Sequence, residues 1–132
     1  PIVSWHAMKD YFGPRAMENA DEVNALLEDI YAGFKNQLGI SVSMRTRLAI
    51  QDYVSAGAVV FTGESEPAYR TAIDFAVVQR LMPSIDGNGK EYRERLEAMQ
   101  SIFDGNGLDR SRTELAELIE RGEKSMGWYR FF

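Results

Sequence analysis

Apolar residues recur at helical spacing along most of this chain. Between Asp21 and Leu38 they fall at Val23, Leu26, Leu27, Ile30, Tyr31, Phe34 and Leu38, the stripe of an amphipathic helix. Asp21 is placed to cap that helix and Gly39 to stop it. Ser43 caps a helix expected from Met44 to Ala56, whose apolar members are Leu48, Ala49, Ile50, Tyr53 and Val54. Another begins at Ser65-Glu66-Pro67, since proline is at home in a first turn, and runs to Met82. Tyr69, Ala72, Ile73, Phe75, Ala76, Val77, Val78 and Leu81 make it apolar around much of its circumference, which predicts the central, most buried helix. The span from Lys90 to Phe103 carries Tyr92, Leu96, Met99, Ile102 and Phe103 on one stripe. Ser111 is placed to cap a last helix reaching Gly122, with Leu115, Leu118 and Ile119 inward. A short helix from Ser4 to Phe12, stopped by Gly13-Pro14, sets Trp5, Met8 and Phe12 on one side.

The breaks carry their own signals. Gly57 opens an apolar, β-branched stretch through Gly63 that reads as either a buried loop or one short strand. Asp86-Gly87-Asn88-Gly89 and Asp104-Gly105-Asn106-Gly107 repeat one tetrapeptide, and helix-ending turns account for both. The tail, Met126 to Phe132, is too aromatic for a solvated terminus and is expected to pack on the helices, as a short strand beside Val59–Phe61. The prediction is an all-α bundle of five or six helices with at most one minor two-stranded pair, forming a single domain over residues 1–132.

Composition narrows the chemistry. At 132 residues, 45% apolar and 27% charged, the chain suits one ordinary globular domain. It has no cysteine, so disulfides and thiolate metal sites are excluded. No apolar run approaches the ~20 residues that span a membrane. A net charge of −5 argues against a domain whose main task is to grip nucleic acid. The arginine clusters, Arg45-Thr46-Arg47 and Asp109-Arg110-Ser111-Arg112, are short. The N-terminus shows no signal peptide and no initiator Met, which raises the expectation of a C-terminal piece of a longer, cytoplasmic protein.

Familiar motifs fail on inspection. Read as calcium loops, the Asp-Gly-Asn-Gly segments put Lys90 and Leu108 where a ligand belongs, and Glu91 and Asp109 where glycine belongs. Gly87-Asn88-Gly89-Lys90 lacks the spacing of a phosphate loop, and Glu91 follows the lysine. His6 is the single histidine, and no Gly-x-Ser-x-Gly elbow exists for a serine nucleophile. The pairs Glu18/Asp21 and Glu28/Asp29 sit on polar faces, where solvated charge is the default. No complete catalytic site and no metal site is expected. Arg45 and Arg47 are less ordinary. They occupy the first turn of a helix, where a cation opposes the macrodipole. Two accounts stand: plain surface arginines, or guanidinium groups placed to meet an anion such as phosphate.

Three stretches together resemble the C-terminal lid region of AAA+ ATPases of the McrB type, the motors of modification-dependent restriction systems and their relatives. Ser43 to Val54 looks like the family's sensor-2 helix, with Arg45, Ile50 and Tyr53 at its spacing. Ala72 to Gly87 looks like the next helix and its Gln-Lys-x-Leu-Pro-like end, although Arg80 stands for the lysine and Met82 for the leucine. Thr113 to Phe132 resembles the closing helix and its Gly-aromatic tail. The likeness runs from about Ile40 to Phe132, and residues 1–39 match less well. It implies a lid that closes over ATP or GTP, with Mg, bound by an upstream core of the same chain. Phosphate contact then falls to Arg45. Arg47, about 200° around the helix, is left for a neighbouring subunit in a homo-oligomeric ring. The family's motors also work with nuclease partners, and such a lid meets nucleic acid only indirectly. The competing expectation is a stand-alone helical adaptor that binds another protein. An enzyme with an unrecognised site ranks last.

Overall fold

The computed structural model describes residues 20–60 and 68–132. Five α-helices follow one another among them: α1 (Ala20–Leu38), α2 (Met44–Val60), α3 (Ala68–Ala76), α4 (Lys90–Gly105) and α5 (Asp109–Lys124). Two short strands, β1 (Asp86–Asn88) and β2 (Trp128–Arg130), pair antiparallel. The fold is therefore all-α with one minor β pair, as the hydrophobic periodicity predicts. The expected Ser4–Phe12 helix, His6 and the Ser65-Glu66-Pro67 start lie outside the described residues.

One core joins the helices. Ile30 and Phe34 of α1, Ile50 and Val54 of α2, Ile73 and Ala76 of α3, Leu96 and Phe103 of α4, and Leu115 and Leu118 of α5 are all buried. The rings of Phe34 and Phe103 meet at 6.3 Å between centroids, locking α1 to α4. Burying a side chain of this size is worth roughly 1.5–3 kcal/mol. The stop of α1 is as expected: Gly39 takes φ +69°, and the N–H groups of Gly39 and Ile40 return to the carbonyls of Lys35 and Phe34.

Helix α3 is the buried one, but it does not stay α-helical to its end. It passes into a π-helical turn, Val77–Leu81, and then a 3-10 turn, Met82–Ser84. The Met82 N–H accordingly reaches the Val77 carbonyl. The extra residue corrects the phase. In an unbroken α-helix the buried doublets Ala72/Ile73 and Ala76/Val77 would recur at Arg80/Leu81. The π turn moves the next doublet to Leu81/Met82, which is buried, and leaves Arg80 exposed.

Three expectations are corrected. Helix α2 does not end at Ala56: Gly57 to Val60 stay helical, so no strand forms at Val59–Val60, and Phe61 lies outside the described residues. The tail strand pairs instead with the first Asp-Gly-Asn-Gly segment, in the register Asp86↔Arg130, Gly87↔Tyr129, Asn88↔Trp128. That segment is thus a strand and not a helix-ending turn. Finally, Ser111 does not cap α5 but lies inside it, fully buried. The cap comes from α3: the Asp74 carboxylate accepts from the N–H of Arg110 at 2.8 Å and of Ser111 at 2.7 Å, and from the Ser111 hydroxyl at 2.6 Å. An anion at a helix N-terminus meets both the orphan donors and the dipole.

The strand pair closes one end of the bundle. Tyr129 is buried on the inner side of β2 against α5, and a Cβ at Gly122 would overlap its ring, so this contact requires glycine. The Tyr129 hydroxyl donates to Glu123 at 2.9 Å, and Glu123 also receives Arg93 of α4 at 2.8 Å. No described helix is long and apolar enough to cross a membrane.

Candidate functional site

The first turn of α2 is built by Ser43. Its Oγ accepts the Thr46 N–H at 3.2 Å and donates to the Thr46 hydroxyl at 3.0 Å, while its carbonyl accepts the Arg47 N–H. From this capped start the two arginines diverge. Arg47 turns inward onto α1. Its Nη1 meets Glu28 at 3.3 Å, its Nε donates to the Val42 carbonyl at 3.2 Å, and its guanidinium lies 4.4 Å from the centre of the Tyr31 ring. Backbone, carboxylate and aromatic contacts together make it a clamp between α1 and the start of α2. Arg45 is exposed, and its side chain has no hydrogen bond or ion pair among the described residues.

Tyr31 beneath that clamp is buried, and its hydroxyl has no hydrogen-bond partner. Burial pushes its phenol up to about 12, against the opposing pull of Arg47 and with a small push from Glu28. It stays neutral and serves as a packing ring for the guanidinium. The helical stripe marked Tyr31 as core, but its pairing with Arg47 depends on the first turn of α2 lying beside α1.

Two further places are concave. An open groove of about 720 Å³ lies between Glu22, Leu26 and Asp29 of α1, Tyr69 and Arg70 of α3, and the turn from Asp104 to Gly107. Asn106 ties its wall by donating to Asp29 at 2.9 Å and to the Ile102 carbonyl at 2.8 Å. Among the described residues no serine, threonine or histidine lines it, so it holds neither a hydroxyl–imidazole pair nor an imidazole base. The second is a pocket of about 470 Å³ on the tail, lined by Arg121, Ser125, Trp128, Arg130 and Phe132. Sequence reading placed Arg121 in a helix, Trp128, Arg130 and Phe132 in an aromatic tail, and Ser125 between the two. Nothing in their spacing announces a shared pocket. Among the described residues, no three His, Cys, Asp or Glu side chains gather as a metal would need.

Arg110 and Arg112, the other arginine cluster, also have local tasks. Arg110 lies over the Phe75 ring at 4.4 Å, and Arg112 faces Asp104 at 3.6 Å. Of the clustered arginines, Arg45 alone has neither an ion pair nor an aromatic ring among the described residues.

No curated protein and no solved structure matches the chain. A family model described as a domain of unknown function, DUF8727, matches residues 3–127, and the chain belongs to that family.

Proposed function

We propose that this domain is the helical lid of an AAA+ NTPase of the McrB type, with Arg45 as the group that reaches the phosphates of nucleotide held by a separate core. The observation that supports it is the contrast within one helical turn. Arg47 is consumed by Glu28, Val42 and Tyr31, whereas Arg45 is exposed on a capped helix start with no partner among the described residues. A guanidinium in that place opposes the helix dipole and gains nothing from its own fold. A phosphate from outside would supply what it lacks. The all-α fold and the strand pair that closes it suit a compact lid that moves as one body. On this reading ATP or GTP and Mg belong to the core, a ring of like subunits is the working form, a nuclease is a partner, and the setting is cytoplasmic. The role of Arg47 is intramolecular, and the contact to a neighbouring subunit is not part of the proposal.

The test is Arg45→Ala in the native polypeptide that carries this domain. The expected result is a fall in kcat for nucleotide hydrolysis of about a hundredfold, the scale of one lost transition-state donor. Arg45→Lys should recover only part of it, since an ammonium cannot bind two phosphate oxygens in a fork. A native polypeptide without a P-loop core, or full hydrolysis by Arg45→Ala, would overturn the reading. A stand-alone adaptor would then be the surviving account.

A further inference from the structure

The lid reading makes no use of the tail pocket. Strand β2 alternates cleanly: Tyr129 points into the bundle, and Trp128 and Arg130 point out. Phe132 is 87% exposed and Trp128 42% exposed. Arg121 in the last turn of α5 and Ser125 just past its end flank them, and together these five side chains line the pocket of about 470 Å³. Two guanidinium groups, two aromatic rings and, among the described residues, no Asp or Glu side chain make a lining unlike the rest of a chain whose net charge is −5.

The arginines are held without being neutralised. Arg130 stands opposite Asp86 in the strand register, yet its guanidinium lies over the Trp128 ring at 5.3 Å, and no ion pair joins the two. Arg121 donates one Nη to the Phe131 carbonyl at 3.0 Å, which orients the group and leaves most of its five N–H donors available. Neither has a carboxylate partner among the described residues. A fitting ligand is therefore anionic, with a flat apolar part for the exposed rings.

We propose that this pocket binds single-stranded nucleic acid, with an unstacked base against Trp128 or Phe132 and backbone phosphates at Arg121 and Arg130. The volume suits a ligand of about one nucleotide. Aromatic faces beside arginines are the arrangement that takes bases and phosphates together. A duplex keeps its bases stacked and has nothing to offer the rings. An acidic peptide would satisfy the guanidinium groups and leave the rings unused. The acidic balance of the chain opposes nucleic-acid binding as its main task, but this pocket is a local exception. The proposal needs no nucleotide hydrolysis and stands apart from the role of Arg45.

The experiment is a titration of the 132-residue chain into labelled oligothymidylate and oligouridylate, followed by anisotropy. Saturable binding with Kd of about 10–100 µM is expected, with a log–log salt slope near about −1.4 for two phosphates. Trp128→Ala should weaken binding about tenfold, and Trp128→Phe should keep most of it. Arg121→Glu and Arg130→Glu should each weaken it about tenfold and flatten the salt slope. These side chains are at the surface, so unchanged thermal melting verifies that the variants fold. Absence of saturation by ~1 mM would overturn the proposal. So would binding indifferent to both Trp128→Ala and Arg130→Glu, equal affinity for a duplex, or tighter binding of a glutamate-rich peptide.

Discussion

Asp86-Gly87-Asn88-Gly89 and Asp104-Gly105-Asn106-Gly107 are the same four residues with two different structures. The first is a strand, held flat by its partner Trp128–Arg130 and packed against Tyr92. The second is the last turn of α4 and the bend after it. Each leads into a helix, and there too they differ. Helix α4 begins after Gly89 with no side-chain cap, whereas α5 is capped by Asp74, 37 residues earlier in the chain. Identical local preference thus leaves the outcome to neighbours: the first copy has the tail beside it, and the second has α3.

The comparison can be broken most severely at the second copy. Asp74→Ala removes the acceptor of two backbone N–H groups and the shorter bond of the buried Ser111 hydroxyl, which keeps only the Asp74 carbonyl at 3.3 Å. Urea unfolding should show a loss of about 2–3 kcal/mol, more than an ordinary exposed cap. A loss under about 0.5 kcal/mol would mean that α5 does not rely on the tertiary cap.

The next effect separates the two copies directly. A Cβ at Gly87 would come within 2.5 Å of the Tyr92 ring, while one at Gly105 meets nothing within 4 Å. Gly87→Ala should therefore cost about 2 kcal/mol as overpacking. Gly105→Ala, in the last helical turn, should be neutral or stabilising by up to about 1 kcal/mol. Equal effects at the two glycines would show that the strand is not the native state of the first copy.

The smallest effect is a pH dependence. Burial raises the Tyr92 phenol above its ordinary value of 10.0, with the Asp86 backbone pulling the other way. Tyr31 is raised to about 12, and Tyr129 is raised by burial and by its bond to Glu123. Above pH 10 the unfolded chain loses these protons first, so it binds fewer than the native state and stability falls with rising pH. Unfolding free energy should hold steady up to about pH 10 and decline between about 10 and 12. Tyr92→Phe should make that decline shallower, and no comparable change should come from any substitution in the second copy. An unchanged slope in Tyr92→Phe would place that ring in solvent.

Most helices were legible because burial and the helical period impose the same pattern on the sequence. The stripe of Val23, Leu27, Ile30 and Phe34 is buried as read, and so are Ala72, Ile73, Ala76, Val77 and Leu81 of the next run, while its Tyr69, Phe75 and Val78 are half-buried. Legibility failed where a partner is distant. The neighbour of Trp128–Arg130 was sought at Val59–Phe61 because those residues are β-branched and apolar. The actual partner is a three-residue segment with no strand propensity, recruited because it faces the tail. Ser111 has the chemistry of a cap, but at that point the chain turns its hydroxyl to Asp74. The π turn leaves no sign in composition; it answers to the need to keep Arg80 out and Leu81 and Met82 in.

The candidate sites divide in the same way. Arg45 could be singled out from sequence because a cation in a first turn is locally unfavourable. That Arg47 is spent on Glu28 and Tyr31 while Arg45 is not depends on the first turn of α2 lying beside α1. The pocket of Arg121, Trp128, Arg130 and Phe132 was invisible, since its members come from α5, from β2 and from the residue beyond it, which share no period.

By itself, the sequence determined the all-α class, the helical stripes and the absence of cysteine chemistry, because each follows from local spacing or composition. Tertiary structure alone decided which turn became a strand, which acid capped α5 and which arginines stayed unpaired. Those outcomes depend on surfaces that meet only when the core closes, and no residue carries that information in its neighbours along the chain.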